Sequence, residues 1–182
     1  MTPMFYNPKI HNRQSRRLKG YDYSRPGLYF ITIVCQNRIR RFGHVKNGEM
    51  ILYDNGLIAH EEWARLSERF PNIEIDTYQI MPDHMHGIIK IVGAAFVAQD
   101  AQFATGKISP QAEVNPAPTI SAIIGAYKSL VANACLKIYK SNNKIMGKFW
   151  QRNYYEHIIR NPVAYNNISR YIVNNPKEWK LS

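Results

Sequence analysis

The chain has 182 residues, 45% of them hydrophobic, which suits one domain with a real core. Its 24 Lys and Arg against 13 Asp and Glu leave a formal net charge of +11, an excess that speaks of partners and fits a polyanion best. No apolar run is long enough to span a bilayer and the first residues carry no signal-peptide core, so a cytoplasmic protein with no membrane partner is expected. Two cysteines, Cys35 and Cys135, are too few for a disulfide scaffold or a thiolate zinc site.

Residues 1–26 read as a basic N-terminal arm. From position 9 to position 41 the chain carries Lys9, Arg13, Arg16, Arg17, Lys19, Arg25, Arg38, Arg40 and Arg41 against Asp22 alone, with Tyr21, Tyr23 and Tyr29 among them and Tyr6 just before. Cations meet phosphates and rings stack on bases, so this mixture suits a single nucleic-acid strand.

Gly27 to Cys35 is rich in β-branched and aromatic residues and predicts a buried strand. Gly43 to Tyr53 predicts a hairpin arm turning at Asn47-Gly48. Asn55 is placed to cap a helix running to about Arg69, with Ala59, Trp63, Leu66 and Phe70 as its apolar stripe. Asn72 to Ile80 is the next strand, and Met81-Pro82-Asp83 turns into a strand that holds His84-Met85-His86. With period two, His84, His86, Ile88 and Lys90 share one face, and Met85, Gly87, Ile89 and Ile91 the other. Two imidazoles so spaced lie about 7 Å apart at the backbone, near enough to converge on one divalent cation.

Residues 93–117 are rich in Ala, Gln and Gly and predict a long mobile loop inside a single domain. Helical periodicity returns from Thr119 to about Lys140, with Lys128, Lys137 and Lys140 on the polar side. Phe149 to His157 predicts a further aromatic strand. Asn161-Pro162 starts a last helix, which Pro176 should end near Asn174 or Asn175. On that helix Ala164, Ile168, Tyr171 and Asn175 form one stripe. The order β-β-α-β-β-loop-α-β-α predicts an α+β fold, with helices packed on one antiparallel sheet.

A phenol oxygen is a nucleophile that can take a phosphate covalently. With a free pKa of about 10 it is mostly protonated at neutral pH, so it needs a metal-polarised phosphate or a base nearby. Tyr171, beside the Asn175 amide on its helix, is one candidate. Tyr154 and Tyr155 are rivals, being close to Trp150 and His157.

Met81-Pro-Asp-His-Met-His-Gly-Ile-Ile resembles the HUH motif (His-hydrophobic-His) of single-tyrosine transposases of the insertion-sequence-200-like superfamily. Phe149-Trp-Gln-Arg-Asn-Tyr-Tyr-Glu-His-Ile-Ile-Arg160 and Tyr171-Ile-Val-Asn-Asn-Pro176 resemble the signature of one branch, the REP-associated tyrosine transposases. The resemblance runs from about Gly20 to Trp179. It implies a ferredoxin-like sheet with the HUH strand at its centre, and Mg²⁺ or Mn²⁺ held by His84 and His86. It implies that Tyr171 attacks single-stranded DNA at hairpin-forming repeats, leaving a 5′-phosphotyrosine and a free 3′-hydroxyl. In the superfamily a glutamine four residues after the tyrosine completes the metal site. Here Asn175 keeps the amide and is one methylene shorter, and His157 is the other candidate for that place. Trp150, Gln151 and Arg152 are expected to stack on bases or bind phosphate, with Lys128 nearby. The resemblance also implies a homodimer. The alternative is a hairpin-binding regulator that has lost cleavage.

Overall fold

The computed structural model describes Asp22, residues 25–92 and residues 118–179. Among the described residues six strands and four α-helices form: β1 (Gly27–Val34), β2 (Gly43–Lys46), β3 (Glu49–Leu52), α1 (Asp54–Ala64), α2 (Leu66–Arg69), β4 (Ile73–Ile80), β5 (His84–Ile91), α3 (Ile120–Ser141), β6 (Tyr155–Ile159) and α4 (Pro162–Glu178). The main sheet has the order β4-β5-β1-β6, with every neighbouring pair antiparallel. The unit β1–α1–β4 therefore straddles β5, and β5–α3–β6 straddles β1. This interleaving is the ferredoxin-like arrangement, and it puts the histidine strand in the interior of the sheet. The hairpin β2–β3 is a separate two-stranded sheet. Asn47 and Gly48 both have positive φ at its tip, as a tight turn there requires.

The two faces of the sheet are covered differently. Tyr29, Ile31, Ile33, Met85, Ile89 and Ile91 join the main core, which takes Trp63 from α1 and Ile123, Ile124, Tyr127 and Val131 from α3. Gly87 makes room for this packing. A Cβ there would lie 2.5 Å from the Trp63 ring, so only hydrogen fits under the indole. The opposite face has a smaller cluster of Phe30, Ile88, Ile159 and Ile172, flanked by Ala164, Tyr165 and Ile168. It is α4 that covers this face.

Four expectations need correction. Asn55 does not cap α1. Tyr53 stands at the cap position with no side-chain bond, and Asn55 Nδ2 donates to the Arg41 carbonyl at 3.3 Å. The helical stripe to Arg69 is broken at Arg65 (φ −82°, ψ 1°), which separates α1 from α2. Only Tyr155–Ile159 of the aromatic segment is strand, while Trp150 makes a single bridge to Cys35. Finally, α4 continues through Pro176 to Glu178. A proline in the last turn deletes one ladder bond, and burial of Asn175 and Pro176 holds that turn in place. The arm at 1–21 and the loop at 93–117 lie outside the described residues.

Candidate active site

His84 and His86 stand on the α4 side of β5 and are buried, at 7% and 5% exposure. Backbone bonds pin the turn that delivers them: Cys35 N–H to the Asp83 carbonyl at 2.8 Å, Phe42 N–H to that of Pro82 at 3.0 Å, and Met81 N–H to that of His84 at 2.8 Å. On the neighbouring strand Thr32 lies opposite His86. Each imidazole is held through Nδ1. His84 Nδ1 bonds Asp83 Oδ1 at 2.5 Å, and His86 Nδ1 bonds Thr32 Oγ1 at 2.8 Å. With both Nδ1 atoms engaged, the two Nε2 atoms converge to 3.0 Å.

Tyr171 comes from α4. Its hydroxyl is 3.2 Å from His86 Nε2, and its side chain is 45% exposed, so the oxygen sits at the mouth of the histidine pair. Phe30 braces the group, with its ring stacked on His86 at 5.5 Å and edge-on to Tyr171 at 6.3 Å. One turn beyond Tyr171, Asn175 is buried on the same helix. Trp179 closes the far side, 5.8 Å from the His84 ring, with the Arg40 guanidinium 6.0 Å from the indole centre.

Burial pushes His86 down to about pKa 3, helped by the charge His84 carries when protonated and opposed by Asp83. His86 is therefore neutral at physiological pH. Burial would raise the Asp83 carboxyl, but its hydrogen bond and charge interaction with His84, together with Arg38, outweigh that and hold it below the usual range. Arg38 Nη1 lies 3.5 Å from Asp83 Oδ2.

Two imidazole nitrogens suit a transition-metal cation, and a hard cation would need oxygen donors beside them. Two nitrogens 3.0 Å apart match adjacent positions of an octahedron with bonds of about 2.1 Å. No group of three or more His, Cys, Asp and Glu side chains among the described residues is placed to hold a metal. Asn175 is a buried amide one turn beyond Tyr171 on the same helix.

His157 shares the sheet face but stands opposite Phe30 on β6, two strands from β5. That is about 10 Å across the sheet, with the Phe30 ring against His86 in between. The fold does not bring His157 to the pair. Of the rival tyrosines, Tyr154 packs against the main core with its hydroxyl 3.3 Å from Ser121 Oγ, on the face away from the histidines. Tyr155 lies opposite Thr32 on the histidine face, exposed, with its ring edge-on to Phe30 at 6.1 Å.

The expected DNA contacts divide. Arg38, Arg40, Gln151 and Arg152 are exposed. Arg41 is instead turned inward, donating to the Tyr139 hydroxyl and to the carbonyls of Met146 and Lys148 with its guanidinium over Phe149. Trp150 is a core residue, its indole N–H donating to the Lys128 carbonyl. Lys128 is half-buried and its ammonium donates to the carbonyls of Gln151 and Arg152. These three hold the segment that presents Gln151 and Arg152, which is why they point inward. Arg13, Arg16, Arg17 and Lys19 lie outside the described residues. Thr32, Phe30, Asp83 and Trp179 are the neighbours that sequence reading missed. Only Asp83 carried a signal, its place directly before His84.

No protein-family model matches the chain. An uncharacterized protein of Haemophilus influenzae is 39% identical over 175 residues, covering 96% of this chain and 94% of that protein. A second protein of that organism, provisionally named as a REP-associated tyrosine transposase, is 25% identical over 171 residues, covering 88% of this chain and 81% of its own length. Among solved structures, a REP-associated tyrosine transposase bound to a REP hairpin superposes with a TM-score of 0.57 at 20% identity, over 91% of this chain and 74% of that one. Among the described residues no helix is long and apolar enough to cross a membrane. The chain belongs to one family with the uncharacterized Haemophilus influenzae protein, and it is related to the REP-associated tyrosine transposases, whose α+β fold it shares.

Proposed function

We propose that this protein cleaves and rejoins single-stranded DNA at hairpin-forming repeats, with Tyr171 as nucleophile and with Mg²⁺ or Mn²⁺ held by His84, His86 and Asn175. The observation that carries the reading is the exposed Tyr171 hydroxyl, 3.2 Å from the nitrogen of a buried, convergent histidine pair. A bound divalent cation supplies Lewis-acid polarisation of a phosphodiester. The protein's own part is positioning. His84 and His86 offer their convergent Nε2 atoms, and α4 brings the phenol oxygen to the same point. Attack forms the Tyr171 O–P bond and breaks the bond from phosphorus to the 3′-oxygen, leaving a 5′-phosphotyrosine and a 3′-hydroxyl. The phosphodiester is conserved in the adduct, which allows rejoining as well as nicking. Of the expected DNA contacts, Arg38, Arg40, Gln151 and Arg152 are the described ones that are exposed.

The test is covalent trapping. Wild-type protein with a hairpin-bearing oligonucleotide and Mn²⁺ should give a denaturation-resistant protein–DNA adduct. Tyr171→Phe should lose the adduct and keep hairpin retention in a gel, while Tyr154→Phe and Tyr155→Phe keep both. An adduct that survives in Tyr171→Phe overturns the assignment. A second reading, hairpin binding without cleavage, is favoured by Asn175 standing where the superfamily has glutamine. Retention with no adduct from the wild type in Mn²⁺ would decide for it.

A further inference from the structure

The bonds at the two Nδ1 atoms are chemically unlike. Asp83 is 5% exposed, and an ionised carboxylate only accepts hydrogen bonds. At 2.5 Å from Asp83 Oδ1, His84 Nδ1 must carry a proton, so in the neutral ring the lone pair is on Nε2. The second carboxylate oxygen faces Arg38 at 3.5 Å. That arginine is presented by a turn in which Asn37 and Arg38 have φ of 55° and 50°, two successive non-glycine residues in the left-handed region. Such a conformation costs energy and persists only where its surroundings impose it. Thr32, by contrast, has a hydroxyl that rotates and can donate or accept.

We propose that Asp83 and Thr32 are positioning residues that make the two imidazoles inequivalent: Asp83 fixes His84 with its Nε2 lone pair presented, and Thr32 accommodates either tautomer of His86. Without a cation, two lone pairs 3.0 Å apart would repel, so His86 carries its proton on Nε2 and donates to His84. Its Nδ1 then accepts from the Thr32 hydroxyl. With a cation, the His86 proton sits on Nδ1 and the Thr32 hydroxyl turns to accept it. Only one of the two ligands has to change state on loading. The inference rests on the histidine pair of the proposed function, and it assigns that pair an outer layer.

The experiment uses the full chain without DNA. Nitrogen-15 NMR of the imidazoles, recorded without metal, should show His84 protonated at Nδ1 and His86 at Nε2. In Asp83→Asn the amide can donate to Nδ1 and drive the His84 proton to Nε2, the wrong tautomer for a ligand. Calorimetric titration with Mn²⁺ should then show an affinity about 10- to 100-fold weaker than wild type. Thr32→Val should also bind Mn²⁺ more weakly, and Thr32→Ser should restore wild-type affinity. The proposal is overturned by a wild-type His84 protonated at Nε2, or by Asp83→Asn that keeps both its His84 resonances and its Mn²⁺ affinity. A wild type that shows the expected tautomers but takes up no Mn²⁺ removes the metal from the proposed function and leaves the positioning roles standing. The thermal midpoint of each variant separates positioning from unfolding, and the Thr32 pair tests the inference independently if Asp83→Asn fails to fold.

Discussion

The two faces of the main sheet do different work. On one face α1 and α3 seal a large apolar core around Trp63, Tyr127 and the alternate residues of β1 and β5. On the other face α4 is seated by a cluster of four buried apolar residues, and the remaining area is given to His84, His86, Thr32 and Asp83. Burial of apolar area makes the first face the main source of stability. Those four polar side chains can lie against the second face because each finds a polar partner. The lesson is a division of labour: β5 turns its odd-numbered residues to the main core, and on its other face His84 and His86 form the candidate site while Ile88 helps seat α4.

That division can be broken at several points. The largest effect expected is on chemistry, where Tyr171→Phe should remove the covalent adduct while the melting temperature stays at the wild-type value. On the core face, Trp63→Ala should cost about 3–5 kcal/mol in a urea titration. Gly87→Ala, whose new methyl would meet the Trp63 ring, should cost about 1–3 kcal/mol through overpacking. Both should leave residual cleavage in step with the folded fraction, and a selective loss of cleavage at full folding would blur the division. Ile172→Ala lies on the second face, where this residue seats the helix that carries Tyr171. It should cost about 2–5 kcal/mol and also lower cleavage beyond the loss of folded protein.

The smallest effect expected is on pH. His86 is held down to about pKa 3 from 6.5, so the unfolded chain binds its proton more readily than the folded one. Stability from this group is fully present above pH 6.5 and is lost as pH falls toward 3. The depressed Asp83 carboxyl acts in the same direction at the acid end. Urea midpoints measured across that window should fall with pH, and His86→Gln should flatten the slope. An equally steep slope in that variant would mean that the pair is not the source.

Much of the fold was legible because period-two and helical patterns are local. The alternation along β5, the Asn47-Gly48 turn and the Asn161-Pro162 start all stand as read. The errors share a cause as well. Pro176 reads locally as a stop, yet the buried last turn tolerates it. Arg41 and Trp150 read as nucleic-acid contacts by type, yet carbonyls and rings distant in sequence draw them inward.

The sequence by itself determined the elements, the basic charge and the shared face of His84 and His86, since neighbours in the chain decide these. The tertiary structure alone decided which groups meet that face. Thr32 reaches His86 across 54 positions and Tyr171 reaches it across 85, through strand register and helix docking. The same docking leaves His157 two strands away and turns Tyr154 to the opposite face. Distances of this kind are properties of a packed sheet, and no spacing along the chain encodes them.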